Sequence, residues 1–195
     1  MPAHQTADPQ RRALLRACLA LTVGACLPLP ARATTVDTEP LMLTMSPEGL
    51  FVTTAAVFAL PRSLEDVLHR GIALYFETVA IVVRPRWYWF NEDVAQARRD
   101  VRLAYQPLLQ RYRVSVGGLQ QNYDSLDEAL GVVQRTRHLR VAEAAQLVAG
   151  QSYQLEASFR LDLSQLPRPF QLNVSSQSDW KIEARFQPQA FVWTP

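Results

Sequence analysis

From Tyr153 to Asp162 every second residue is apolar: Tyr153, Leu155, Ala157, Phe159 and Leu161 alternate with Gln154, Glu156, Ser158, Arg160 and Asp162. Successive side chains of a strand point to opposite faces, so this period of two puts the apolar set on one side and the polar set on the other. A helix would scatter the same residues around its circumference, so the pattern commits the segment to a half-buried strand. The same alternation returns at Trp180, Ile182, Ala184 and Phe186, interleaved with Lys181, Glu183 and Arg185. It returns again at Tyr112, Val114 and Val116, interleaved with Arg111, Arg113 and Ser115. Leu41 to Met45, a turn at Pro47-Glu48-Gly49, and Leu50 to Leu60 form an expected hairpin, punctuated by its proline and glycine.

One run breaks the alternation. Ile72 to Val83, IALYFETVAIVV, is apolar almost throughout and rich in β-branched residues, which suits a central strand covered on both faces. Two short helices are announced by their starts. Ser63 followed by Asp66, with Leu64, Val67 and Leu68 on one side and Gly71 beyond the end, gives a capped helix of two turns. Ser125 with Glu128 makes a similar box ahead of Leu126, Ala129, Leu130 and Val133. Val94 to Tyr105 fits two patterns, since Val94, Ala97, Val101 and Leu108 align on a helix while Val101, Leu103 and Tyr105 alternate as a strand. The strand is favoured for the second half, with a turn at Gln106-Pro107 pairing it to Tyr112 to Val116. With no repeats and no internal linker, about eight strands and two short helices make a mainly β, single-domain β-sandwich, immunoglobulin- or fibronectin-like in general plan.

The first 33 residues read differently. Arg11, Arg12 and Arg16 precede an apolar run from Ala17 to Leu29 that closes with Pro30-Ala31-Arg32-Ala33, the pattern of a secretory signal peptide cleaved after Ala33. A helix needs about 20 apolar residues to cross a bilayer, and this run is shorter. Val23-Gly24-Ala25-Cys26 also resembles a lipoprotein-processing site with lipidation at Cys26, and Arg11-Arg12 loosely resembles a twin-arginine signal. Cleavage would remove both cysteines, Cys18 and Cys26, and leave 162 residues, 34–195, held together by burial rather than disulfides. It would also leave 16 basic against 17 acidic residues, a net charge near −1. Nucleic acid thereby loses its electrostatic warrant as a partner. The expected location is the periplasm or cell envelope, with membrane contact only if Cys26 is lipidated.

The segments RPRWYWFNE (Arg84 to Glu92), YRVSVGGLQQNYDSLDEAL, DLSQLPRPFQLN and SDWKIEARF resemble the proteobacterial family called domain of unknown function 4390. The resemblance runs from about Pro40 to the C-terminus, and the aromatic stretch is its most specific part. It implies an exported bacterial protein and supplies no catalytic residues.

The aromatic stretch is the candidate binding patch: Arg84, Arg86, Trp87, Tyr88, Trp89 and Phe90. On a strand, Trp87 and Trp89 would share one face and Tyr88 and Phe90 the other. If the strand continues from Ile72 to Val83, these rings stay between two layers, and packing is the favoured reading because large aromatics usually dominate cores. Pro85 cannot donate to a ladder and marks an edge or irregularity. The functional reading is a stacking surface for a sugar or peptide, with Arg84 and Arg86 offering cation–π or carboxylate contacts.

Chemistry finds little purchase. His69 and His138 lie far apart without neighbouring ligands, and no metal or other cofactor is expected. No nucleophile elbow, phosphate loop or dinucleotide glycine pattern occurs, and Gly117-Gly118 is a loop. Glu92 and Asp93 are adjacent, and neighbours on a strand point apart, so no catalytic residues are assigned. Between Arg98 and Arg140, eight arginines face four acids. The densest part, Arg135-Thr136-Arg137-His138-Leu139-Arg140, is read as a solvated face before it is read as a site for anionic lipid.

The favoured function is therefore a noncatalytic envelope module binding a protein or peptide through sheet edges and the aromatic patch. The alternatives are an outer-membrane β-barrel and an enzyme or lectin-like module acting on envelope carbohydrate.

Overall fold

The computed structural model describes residues 34–88, 90–171 and 178–194. The expected signal peptide, its cleavage after Ala33, Cys26 and Trp89 lie outside the described residues.

Among the described residues, eleven strands and three α-helices follow one another. They are β1 (Asp37–Thr38), β2 (Met42–Ser46), β3 (Gly49–Val57), α1 (Arg62–His69), β4 (Leu74–Arg84), β5 (Glu92–Gln106), β6 (Arg111–Val116) and β7 (Leu119–Tyr123). Then come α2 (Leu126–Gln134), β8 (Arg135–Glu143), β9 (Ser152–Leu161), α3 (Arg168–Gln171), β10 (Glu183–Arg185) and β11 (Gln189–Val192). In one sheet β3 is central, with β8 along one edge and β1 and β2 sharing the other. In the second, the order is β7-β6-β5-β4-β9, and β10 and β11 share the outer edge of β9. All pairs are antiparallel. The two sheets do not close into a barrel, which overturns the outer-membrane barrel alternative. The protein is a mainly β, two-sheet sandwich.

The alternation read in β9 is real: Tyr153, Leu155, Ala157, Phe159 and Leu161 are all buried. So are Leu74, Phe76, Thr78, Ala80 and Val82 on the matching face of β4. Between the sheets Phe76 and Phe159 stack at 5.8 Å, and Phe58, just past β3, tilts onto both at 5.7 and 5.5 Å. Thr78 and Thr136 satisfy each other across the interior at 3.3 Å, as buried hydroxyls require.

β4 is central and covered on both faces, as its largely apolar run suggests, but charged side chains supply part of the outer cover. Glu77 is 3% exposed, held between Arg98 of β5 at 3.0 Å and Arg160 of β9 at 2.6 Å. The two arginines lay their stems over the sheet while their heads reach water, and between them they neutralise the carboxylate.

Several boundaries differ from the sequence reading. β5 is strand throughout, because β4 offers it an antiparallel register from Leu74↔Leu103 to Arg84↔Glu92. That pairing outweighs the helical spacing of Val94, Ala97 and Val101. At α1 the cap is Pro61, not Ser63, and no side chain caps the helix. Ser63 lies two residues past the cap, in the first turn, and instead accepts a hydrogen bond from the Trp180 indole at 3.0 Å. The second cap is as expected, with Ser125 accepting from the Glu128 N–H at 3.3 Å. Near the C-terminus Trp180, Ile182 and Phe186 are buried in alternation, although only Glu183–Arg185 pairs as a strand.

Candidate functional site

The longest hairpin of the protein is β4–β5. Its last paired residues are Arg84 and Glu92, so Pro85 to Tyr88 and Phe90 to Asn91 lie in the loop at its end. Just before the loop the register shifts, with Val82 opposite Ala95 and Val83 opposite Asp93, which leaves Val94 as an extra residue. Such a bulge strengthens the local twist and re-aims the chain beyond it. Pro85 then ends the ladder, because it has no N–H to give.

The favoured packing reading of the aromatic stretch is therefore corrected. Trp87 is 93% exposed, Tyr88 68% and Phe90 84%. Trp87, Tyr88 and Phe90 do not continue β4: they lie past its last paired residues with most of their surface in water. Trp87 and Tyr88 meet edge to face, with centroids 5.1 Å apart and planes at 73°, a favourable arrangement for neighbouring rings. Exposed aromatics gathered at one loop are unusual on a soluble domain, where large apolar exposure marks an interaction surface.

Arg84 and Arg86 do not reach out as free cations. Both bond Glu92 Oε2, Arg84 through Nε at 2.9 Å and again through its Nη2, and Arg86 through its Nη2. The base of the loop is thus a closed three-residue ion cluster, and Glu92 is committed to it. The Arg84 hydrogen bond, aided by the charges of both arginines, holds the Glu92 carboxyl below its ordinary range. A group depressed in this way favours the folded hairpin above its unfolded pKa, and loses that contribution as the pH falls through the folded value. Titrating the Glu92 side-chain carbon by NMR is expected to give a midpoint below that of free glutamate, and Arg84→Ala is expected to raise it.

The other sequence candidates separate. His69, at the end of α1, meets the Tyr112 hydroxyl at 2.7 Å and packs its ring on Tyr105 at 4.7 Å. His138 stacks on Phe51 at 4.1 Å. Among the described residues no three His, Cys, Asp or Glu side chains are grouped to hold a metal. A small cavity of about 200 Å³ brings Glu77, Asp100 and Asp162 near one another. Each already has a structural partner: Glu77 its two arginines, Asp100 the Arg98 Nε at 2.7 Å, and Asp162 the Ser164 hydroxyl at 2.6 Å. The Ser164 bond holds Asp162 below the usual carboxylate range, away from the raised value a general acid needs.

Sequence reasoning missed one feature. A groove of about 1120 Å³ runs between β7, α2 and the start of β8, lined by Arg99, Gln121, Tyr123, Val132, Arg135 and Arg137, together with Asp127 and Glu128. The available signal was parity, since Arg99 shares its face of β5 with Ala95, Val101 and Leu103, which are buried.

These features define a class: an antiparallel two-sheet sandwich that carries an aromatic loop at the end of its longest hairpin, outside the core. The chain belongs to the family described as Domain of unknown function (DUF4390), whose model matches residues 33–189. The match spans the aromatic loop, β7 and the groove. No curated protein and no solved structure matches the chain.

Proposed function

We propose that the protein is an exported, noncatalytic module of the bacterial cell envelope that docks a protein or peptide partner through the Trp87 hairpin. The observation that carries this reading is the exposure of Trp87, Tyr88 and Phe90 on a loop closed at its base by its own ion cluster. Aromatic side chains with few rotatable bonds are the usual anchors of protein interfaces. Export is supported by the basic, apolar and small-residue order of the first 33 residues and by a family match that begins where cleavage is expected. Periplasmic release after Ala33 is the first form of this proposal, and anchoring through Cys26 the second.

A carbohydrate platform is less well supported. A sugar ring stacks on a flat aromatic face, and Trp87 and Tyr88 stand at 73° with no shared plane. Noncatalytic action is supported by the structural commitment of Glu77, Glu92, Asp100 and Asp162 to partners within the fold.

Site-specific photo-crosslinking in living cells tests the proposal. A benzophenone side chain at position 87 is expected to give one discrete adduct with an envelope protein or peptide. The control is position 108 in the β5–β6 turn, where Leu108 is 99% exposed at the far end of β5. Identical adducts from both positions, or none from position 87, would refute the hairpin as the docking element.

A further inference from the structure

β7 is an undefended sheet edge. Leu119 to Tyr123, LQQNY, pairs with β6 and with no other described strand. It carries no charge, no proline and no register shift, the usual devices that keep an edge from accepting another strand. Leu119, Gln121 and Tyr123 lie opposite Val116, Val114 and Tyr112, on the inner side of the sheet, and the groove opens on that side.

Among the described residues Arg62, Arg70, Arg102, Arg113, Arg168 and Arg185 lack an ion pair, but in this groove two arginines without one stand beside a third whose guanidinium is partly unsatisfied. Arg84, Arg86, Arg98, Arg111, Arg140 and Arg160 each hold a carboxylate. Arg135 and Arg137 form no ion pair with a described residue, although Asp127 and Glu128 line the same groove. Arg99 spends one nitrogen on the Val132 carbonyl at 3.1 Å, and its Nη1 is buried with no acceptor among the described residues. Burial also holds its guanidinium below the ordinary arginine range. A buried donor without an acceptor has given up its water for nothing in return, and so calls for a partner.

We propose that β7 and the arginine groove beside it form a strand-addition site for an extended segment of another protein that carries acidic side chains at alternate positions. A strand added along β7 takes its affinity from main-chain hydrogen bonds. It projects every second side chain toward the groove, at a repeat of roughly 6.6 Å, where carboxylates meet guanidinium groups in bidentate geometry. A second copy of β7 does not meet this requirement, because LQQNY has no carboxylate to offer. The site is separate from the Trp87 hairpin, and its test leaves that reading untouched.

The probe is a fluorescein-labelled (Thr-Glu)5 peptide followed by fluorescence polarisation on the full mature chain. Two relatives serve as controls: (Thr-Lys)5, and (Thr-Glu)5 methylated at every backbone nitrogen. Saturable binding of the acidic peptide is expected, with none of the lysine peptide. The R135Q/R137Q variant, altered only at exposed side chains, is expected to keep the wild-type circular dichroism spectrum and to weaken binding at least about tenfold. The methylated peptide is expected to lose at least as much, since it cannot pair with an edge, while Trp87→Ala leaves binding unchanged. Equal binding of the methylated peptide would overturn strand addition. Indifference to the arginine variant, or capture by anionic vesicles but not by the acidic peptide, would overturn the proposed ligand class.

Discussion

Replacing Phe76 by alanine is expected to lower the free energy of unfolding by about 4 kcal/mol, the cost of deleting a large ring from a core that cannot fully collapse around the gap. Phe76 is 1% exposed. Its ring makes a mutually contacting triangle with those of Phe58 and Phe159, so its loss removes contacts with two other rings. The neighbours cannot follow it inward, because β4 is pinned by β5 along one edge and β9 along the other. Urea unfolding followed by circular dichroism reads the change as a shift in midpoint at nearly constant slope. A loss below about 1 kcal/mol would mean that the two sheets do not pack face to face through these rings.

Gly49→Ala is the second large effect expected. Gly49 opens β3 at φ +147°, a backbone conformation that residues with a Cβ rarely adopt, and a Cβ built there meets the Ala142 carbonyl oxygen at 2.1 Å. The obstacle is backbone of the paired strand β8, at the Gly49↔Glu143 and Leu50↔Ala142 pairs, so no rotamer change relieves it. Strain and overpacking together place the cost at about 3 kcal/mol. Because β3 is the only described strand that holds β8 in its sheet, the variant is also expected to exchange the β8 amide protons faster than the wild type. Unchanged stability would show that β3 and β8 pair in another register.

Much of the architecture is legible in the sequence wherever one face of a strand meets the core and the other meets water. β9 is the clearest case, because Tyr153 to Leu161 obeys that contrast without exception. The central place of β4 follows equally from its run, which is apolar apart from Glu77 and Thr78. Val94 to Tyr105 could not be read alone, since its spacing satisfies two periods and only the register offered by β4 decides between them. Ser63 misled because a capping pattern specifies a helix start only to within a residue or two, and Trp180, distant in sequence, claims its hydroxyl.

The candidate site shows the limit of pattern reading more sharply. The ring content of Trp87, Tyr88 and Phe90 favours a core reading, and the deciding residue is Pro85, whose missing N–H ends the ladder before the rings begin. Glu92 carried a second clue, since one acid two residues beyond the aromatics can close the loop on Arg84 and Arg86. The groove was hidden for a different reason. Arg99, Arg135 and Arg137 come from two strands that only tertiary folding brings together, so a count of arginines from Arg98 to Arg140 describes a charged face and not an unpaired set.

One set of rings, with Phe58, Phe76 and Phe159 at its centre, holds the sandwich together, and another set at the end of the β4–β5 hairpin stands outside it. Equilibrium unfolding of the triple variant Trp87→Ala/Tyr88→Ala/Phe90→Ala tests that division directly. Stability within about 0.5 kcal/mol of the wild type is expected for surface substitutions of this kind. A loss comparable to that of Phe76→Ala would place the hairpin rings in the core and contradict the division.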